Sequence, residues 1–189
     1  MVDEQTTGTT EGDQVTPTVE AVDEGANVGI AEQATAEPAE PEAAAIAWEA
    51  IERAGRGGQA NQRGKVAITV AEVLGPLDPG RIAVLLGEAV AHYLAIGSIP
   101  SLLDGAILLA GLDRPPTADT ARLLGSIRRY AGGTLPDDAT SIAAAVRESL
   151  GTTAFDREAG AGAALDADAV SRLVASIAGR LAGAPPGPA

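Results

Sequence analysis

Between residues 41 and 184 the apolar side chains recur at intervals of three and four residues, and glycine or proline bounds most of these runs. This spacing places apolar side chains on one side of a helix. No stretch shows the alternation with β-branched residues that is typical of a half-buried strand. We therefore predict an all-α fold of about seven helices, paired as stacked hairpins in a solenoid-like array or a compact bundle.

The composition limits how these helices can pack. Only one Trp, two Tyr and one Phe occur in 189 residues, and there is no cysteine. Burial must therefore come from Ala, Leu, Ile and Val, which suit closely approaching helices. Without cysteine the chain can form neither a disulfide framework nor a thiolate nucleophile nor a thiolate zinc site.

The charge is distributed unevenly along the chain. The formal net charge is −13, yet residues 1–42 contain eleven acidic residues and no basic one, so the remainder is close to neutral. Residues 1–40 have too little apolar surface to fold, and we predict a disordered acidic tail there. Its role is interpreted as a solubility aid or a linker, with a decoy for nucleic-acid-binding surfaces as the third alternative.

Capping residues predict where several helices begin and end. Asp78 is expected to begin a helix that Gly97 ends, Thr117 or Asp119 to begin another, and Asp166 to begin the last.

The helical domain is predicted to span residues 41–184, with a frayed end at residues 185–189. Within it, the segment TTAFDREAGAGAA, residues 152–164, is interpreted as a loop. The first residues lack the basic and apolar regions of a secretory signal, so a cytoplasmic location is expected.

Two segments share a pattern of Leu-Leu-Gly, a helix remainder, a glycine stop, a proline step and a second helix. They begin at Leu85 and Leu123, 38 residues apart. A period of about 35 to 40 residues is typical of helical-hairpin arrays. The first unit resembles the divergent tetratricopeptide-type repeats of bacterial regulatory proteins, best over residues 78–109, although Ile82 or Ala83 stands where that family has an aromatic. The resemblance implies partner binding rather than a particular reaction.

The stretch RIAVLLGEAVAHYLAIG, residues 81–97, contains the only histidine within a nearly unbroken apolar run. A bilayer span needs about 20 apolar residues, and this run is shorter and includes Glu88 and His92. We predict a buried helix and no membrane partner.

Glu88 and His92 are also the candidates for metal ligands, because residues four apart share one face of a helix. Glu72 or Asp104 could add a carboxylate from a neighbouring helix. Zinc and di-iron sites normally use several His or Cys ligands. We therefore favour a helix-surface pair of Glu88 with His92 and expect no metal and no cofactor, with a small carboxylate/histidine metal-dependent enzyme as an alternative.

Motifs for other catalytic chemistry are missing from the sequence. There is no Gly-x-Ser-x-Gly, and the glycine-rich residues 55–65 lack the Gly-Lys-Ser/Thr ending of a phosphate-binding loop. We do not expect an enzyme.

The candidates for partner binding are aromatic residues and arginines. They are Trp48, Tyr93, Arg122, Arg128 and Arg129, and the only other basic concentration is Arg53, Arg56, Arg63 and Lys65. These basic residues could equally bind the acidic tail of the same chain, and a solvated helix face is the favoured interpretation, so no nucleic-acid partner is expected.

The sequence thus predicts a non-catalytic protein–protein interaction or scaffold/adaptor module that binds a partner helix or peptide. The alternative is a structural subunit of a phage or secretion particle, which would bind further copies of itself.

Overall fold

The computed structural model describes residues 40–56 and 60–183, and over these residues it contains helices and no strand. The all-α class is thereby confirmed. The disordered tail predicted at residues 1–40 lies outside the described residues except for Glu40, and so does the frayed end predicted at residues 185–189. The eight helices are α1 (Glu40–Arg56), α2 (Ala60–Leu74), α3 (Pro79–Ile96), α4 (Ile99–Leu112), α5 (Ala118–Tyr130), α6 (Asp137–Leu150), α7 (Thr152–Ala163) and α8 (Ala167–Gly183).

The helix ends follow the predicted caps. The Asp78 carboxylate accepts a hydrogen bond from a first-turn N–H of α3 at 3.0 Å, and Gly97 ends that helix in the left-handed region with φ 72°. Asp166 accepts the corresponding bond in α8 at 2.7 Å. Of the two candidates at α5, the cap is Thr117 and not Asp119. These local side chains satisfy N–H groups that a helix leaves unpaired.

The loop predicted at residues 152–164 is wrong, because Thr152–Ala163 form α7, which raises the helix number from seven to eight in the described residues. Packing against α5 explains this helix. A Cβ atom on Gly125 would overlap the backbone of α7, and one on Gly162 would overlap the backbone of α5. The close contact that these glycines allow offsets their low helix propensity.

Helix α3 occupies the centre of the core and contacts α2, α4 and α8. Its residues Ile82, Leu86 and Val90 are completely buried. The apolar run of residues 81–97 therefore forms most of the central core helix, as predicted. None of the described helices is long and apolar enough to cross a bilayer.

The last helix closes the core. Gly80 of α3 lies beside Leu181 of α8, and Gly87 lies beside Ala178, so the two helices run antiparallel in close contact. In an open array each unit contacts only its sequence neighbours. Because α8 packs on α3 instead, the described residues form a closed bundle.

Helices α1 and α2 form the predicted hairpin and pack against α3. Ala47 and Ile51 of α1 are buried in the common core. The Tyr93 hydroxyl donates a hydrogen bond to the backbone carbonyl of Asn61 at 3.3 Å, which joins α3 to the beginning of α2.

Candidate interaction surface

Trp48 lies where α1 meets the beginning of α3. Because Ala47 and Ile51 take the inward positions of α1, Trp48 stays half-buried at the edge. The Arg81 guanidinium stacks on its ring, with the guanidinium carbon 3.7 Å from the ring centroid. Trp48 therefore holds a cation–π partner close to the surface.

An open cleft lies beside this stack. Its larger lobe has a volume of about 630 Å³ and is lined by residues of α2, α3, the turn between them and the end of α8. A second lobe of about 430 Å³ extends toward α1 and shares Arg63, Arg81 and Leu85 with the first. We call both lobes together the arginine cleft.

Three arginines from three helices line the arginine cleft: Arg56 of α1, Arg63 of α2 and Arg81 of α3. Arg63 pairs with Glu88 at 3.2 Å, and Arg81 approaches Glu52 at 3.8 Å. The four paired side chains are 44–58% exposed. Exposed pairs of this kind contribute only about 0–1 kcal/mol, so Glu88 and Glu52 hold Arg63 and Arg81 only weakly.

The large apolar side chains that remain exposed in the described residues all belong to the first three helices or to the turn before α3. All of them lie between the first turns of α1 and the end of α3, and we call this region the α1–α3 surface. They are Ile46 (60%), Val73 (48%), Leu77 (47%), Val84 (38%) and Ile96 (55%). Leu77 and Val84 also line the arginine cleft.

The residues predicted as metal ligands do not converge. Glu88 pairs with Arg63, not with His92, so the helix-surface pair that we favoured is replaced by an ion pair between helices. His92 packs against a neighbouring tyrosine ring. In the part of the chain that the structure describes, no three His, Asp or Glu side chains lie close enough to hold a metal, and Glu72 and Asp104 complete no such group.

Tyr93, predicted as a partner-binding residue, is only 1% exposed. Burial raises the pKa of its hydroxyl, and the negative charge of Asp104 raises it further. Its hydrogen bond to the Asn61 carbonyl gives it a structural role, so Tyr93 does not belong to the accessible surface.

The three arginines predicted on α5 do not act together. Arg122 contacts Glu158 of α7 at 2.7 Å, and Arg129 donates a hydrogen bond to the backbone carbonyl of Leu165. Arg128 is exposed. Two of the three arginines therefore serve to hold α7 and the turn after it against α5.

Glu158 is the carboxylate of α7 that binds Arg122 of α5. Its residue is 7% exposed, and it accepts hydrogen bonds from Arg157 at 2.7 and 2.9 Å in addition to the Arg122 contact. The Arg157 hydrogen bonds lower the pKa of the carboxyl, Arg122 lowers it further, and together they outweigh the opposing effect of burial. Both carboxylate oxygens have guanidinium partners.

The sequence analysis missed a buried carboxylate, Asp113, in the turn between α4 and α5. It is 2% exposed and accepts hydrogen bonds from Arg180 of α8 and from the hydroxyls of Thr117 and Thr120. Burial alone would raise the pKa of Asp113, but these donors hold it below the ordinary value. The Thr117 cap was a local signal, whereas Arg180 is 67 residues away in sequence.

Over residues 40–56 and 60–183 these observations define a class of protein: a closed all-α bundle whose buried acids are paired and whose large exposed apolar side chains belong to α1–α3 or the turn before α3. Comparison with known proteins adds no family, since no family model, no curated protein and no solved structure matches the chain. The resemblance to tetratricopeptide-type repeats stays a prediction.

Proposed function

We propose that the protein is a non-catalytic cytoplasmic interaction or adaptor module that binds a helix or peptide of another protein on the α1–α3 surface. The observation that carries this proposal is that the large exposed apolar side chains of the described residues all belong to α1–α3 or the turn before α3, and that two of them, Leu77 and Val84, line one cleft. Exposed apolar side chains that share a cleft are typical of sites where another protein docks. Helices α4–α8 contribute no large exposed apolar side chain within the described residues.

The buried acidic residues support a binding role over a catalytic one. Asp113 and Glu158 are engaged by arginines that hold two helices together. In the described part of the chain, no buried polar side-chain atom lacks a hydrogen-bond partner. The polar groups of the interior are thus accounted for by the fold itself.

The test is affinity capture from a lysate of the source cell with three baits, quantified by mass spectrometry. The first bait is the unaltered chain, and the second carries Leu77→Ser and Val84→Ser on the α1–α3 surface. The third carries Ala144→Ser and Ala145→Ser, which are exposed on α6 and serve as the matched control.

We expect a protein that the unaltered chain and the α6 control retain equally and that the α1–α3 variant loses. Retention of copies of this chain alone would replace the proposal with the self-assembling subunit. Equal retention by all three baits would place the interaction away from the α1–α3 surface and contradict the proposal.

A further inference from the structure

Two arginines of the cleft form ion pairs that are exposed to water. The ion pairs of Arg63 with Glu88 and of Arg81 with Glu52 are partly exposed, and the second is long at 3.8 Å. Water screens such pairs, so a carboxylate brought in by another molecule can compete with Glu88 or Glu52. Guanidinium groups suit this exchange because their planar N–H donors match the two oxygens of a carboxylate.

One arginine of the cleft, Arg56, can receive the carboxylate of an acidic occupant directly. The lining of the cleft contains three arginines and two acids, Glu52 and Asp78. The Asp78 carboxylate already accepts a backbone N–H at the beginning of α3. Among the described residues, Arg56 has no carboxylate within ion-pair distance. Glu88, outside the lining, pairs with Arg63, so Arg56 is the cleft arginine that an acidic ligand can bind without displacing a described carboxylate.

The apolar part of the cleft adds a second requirement. Leu77 and Val84 are 47% and 38% exposed and lie in the same lobe as Arg63 and Arg81. A ligand that covers this lobe must offer apolar side chains to Leu77 and Val84 and negative charge to the arginines. An amphipathic helix meets both requirements, because its residues three and four apart share a face and its flanks carry charge.

We propose that the arginine cleft binds an acidic amphipathic helix of the partner protein, whose Glu or Asp side chains replace Glu88 and Glu52 on Arg63 and Arg81. This inference rests on the proposed function and specifies the chemistry of the partner. The helix lays its apolar side chains over Leu77 and Val84.

Trp48 can report the binding of a ligand in the arginine cleft. Trp48 is the only tryptophan, and Arg81 stacks on it. A ligand carboxylate that draws the Arg81 guanidinium away changes the surroundings of the indole ring. Occupation of the cleft is therefore expected to change tryptophan fluorescence.

The experiment titrates the full chain with two synthetic peptides of about 14 residues, long enough for about four helical turns. Both are acetylated and amidated, so that only side chains carry charge. One contains Leu, Ala and Glu at helical spacing, and the other has Lys in place of every Glu. We expect saturable binding of the Glu peptide, at least about ten-fold tighter than that of the Lys peptide and weaker at high salt.

Variants of the arginine pairs sharpen the test, and isothermal calorimetry measures their affinity independently of Trp48. Arg63→Gln is expected to lower the affinity for the Glu peptide about ten-fold, because it removes a charged hydrogen-bond donor. Glu88→Gln is expected to tighten binding about two- to five-fold, since it removes the competitor for Arg63. Arg128→Gln, an exposed arginine on α5, is the matched control and should bind as the unaltered chain does.

Equal binding of the two peptides, or unchanged affinity in both Arg63→Gln and Glu88→Gln, would overturn the inference. Circular dichroism of each variant establishes that its helices are intact. The proposed function fails separately, when the Leu77→Ser and Val84→Ser bait retains every captured protein. A lost capture combined with equal peptide binding would keep the interaction module and remove its preference for acidic helices.

Discussion

At the residue scale, Asp113 is a buried carboxylate that helps to hold α8 on the rest of the bundle. It joins the turn between α4 and α5 to Arg180 of α8, and its carboxylate is almost inaccessible to water. Asp113→Asn keeps the shape but weakens the charged hydrogen bonds. We expect a loss of about 2 kcal/mol in the free energy of unfolding, measured by urea denaturation.

The matched control is Asp156→Asn, because the Asp156 side chain is 63% exposed and lies 3.8 Å from Arg147. Exposed pairs contribute about 0–1 kcal/mol, so this variant should remain close to the unaltered chain. Equal losses in the free energy of unfolding of the two variants would show that the buried Asp113 contact stabilises the fold no more than an exposed ion pair does.

The same carboxyl predicts a pH dependence. Its pKa is lower in the folded chain than in the unfolded chain, so the unfolded state binds more protons as the pH falls. The stabilisation from Asp113 is therefore complete above the unfolded value of about 4 and is lost as the pH falls through the folded pKa. Urea denaturation at several pH values should show the unaltered chain and Asp113→Asn converging below about pH 4.

At the scale of elements, the contact between α5 and α7 depends on glycines. A Cβ atom at Gly162 would overlap the Arg122 carbonyl oxygen, whereas one at Gly160 of the same helix would meet nothing within 4 Å. Gly162→Ala should therefore cost at least about 2 kcal/mol of stability, because the backbones must separate. Gly160→Ala should raise stability by about 0.5–1 kcal/mol through helix propensity alone.

Thermal denaturation followed by circular dichroism compares these two variants directly. A stabilised Gly162→Ala would mean that α5 and α7 are not in backbone contact and would remove the explanation given for helix α7.

The same two helices show where the sequence was insufficient. The caps Asp78, Gly97 and Asp166 could be predicted because each acts on its own helix end. Helix α7 could not, because its glycines favour a loop locally and become favourable only against α5. Single-sequence patterns contain no information on that partner.

At the scale of the whole molecule, the packing of α8 on α3 predicts one cooperative unfolding transition. Ile177 of α8 is completely buried, and Ile177→Val should lower stability by about 1 kcal/mol. In a closed bundle this substitution also lowers the urea concentration at which the fluorescence of Trp48 in α1 reports unfolding. Urea curves from tryptophan fluorescence and from circular dichroism should shift together. An unchanged midpoint in the tryptophan fluorescence curve would indicate units that unfold independently, as in an open array.

The candidate site was predictable only in pieces. Trp48, Arg56 and Arg63 stood out as an aromatic residue and as part of a basic concentration. Their meeting with Arg81 depends on how the α1–α2 hairpin packs against α3, which local periodicity does not specify. The pairing of Asp113 with Arg180 could not be predicted either, because it joins residues that are far apart in the sequence.

The central claim, that another protein docks on the α1–α3 surface, is tested most directly by photo-crosslinking in the source cell. A photoreactive amino acid replaces Val84 in the arginine cleft or, as a control, Ser149 on the exposed side of α6. We expect a crosslink from position 84 to a different protein, within a segment that contains Glu or Asp beside apolar residues, and none from position 149. A crosslink to that protein from position 149 alone, or from position 84 only to another copy of this chain, would contradict the account.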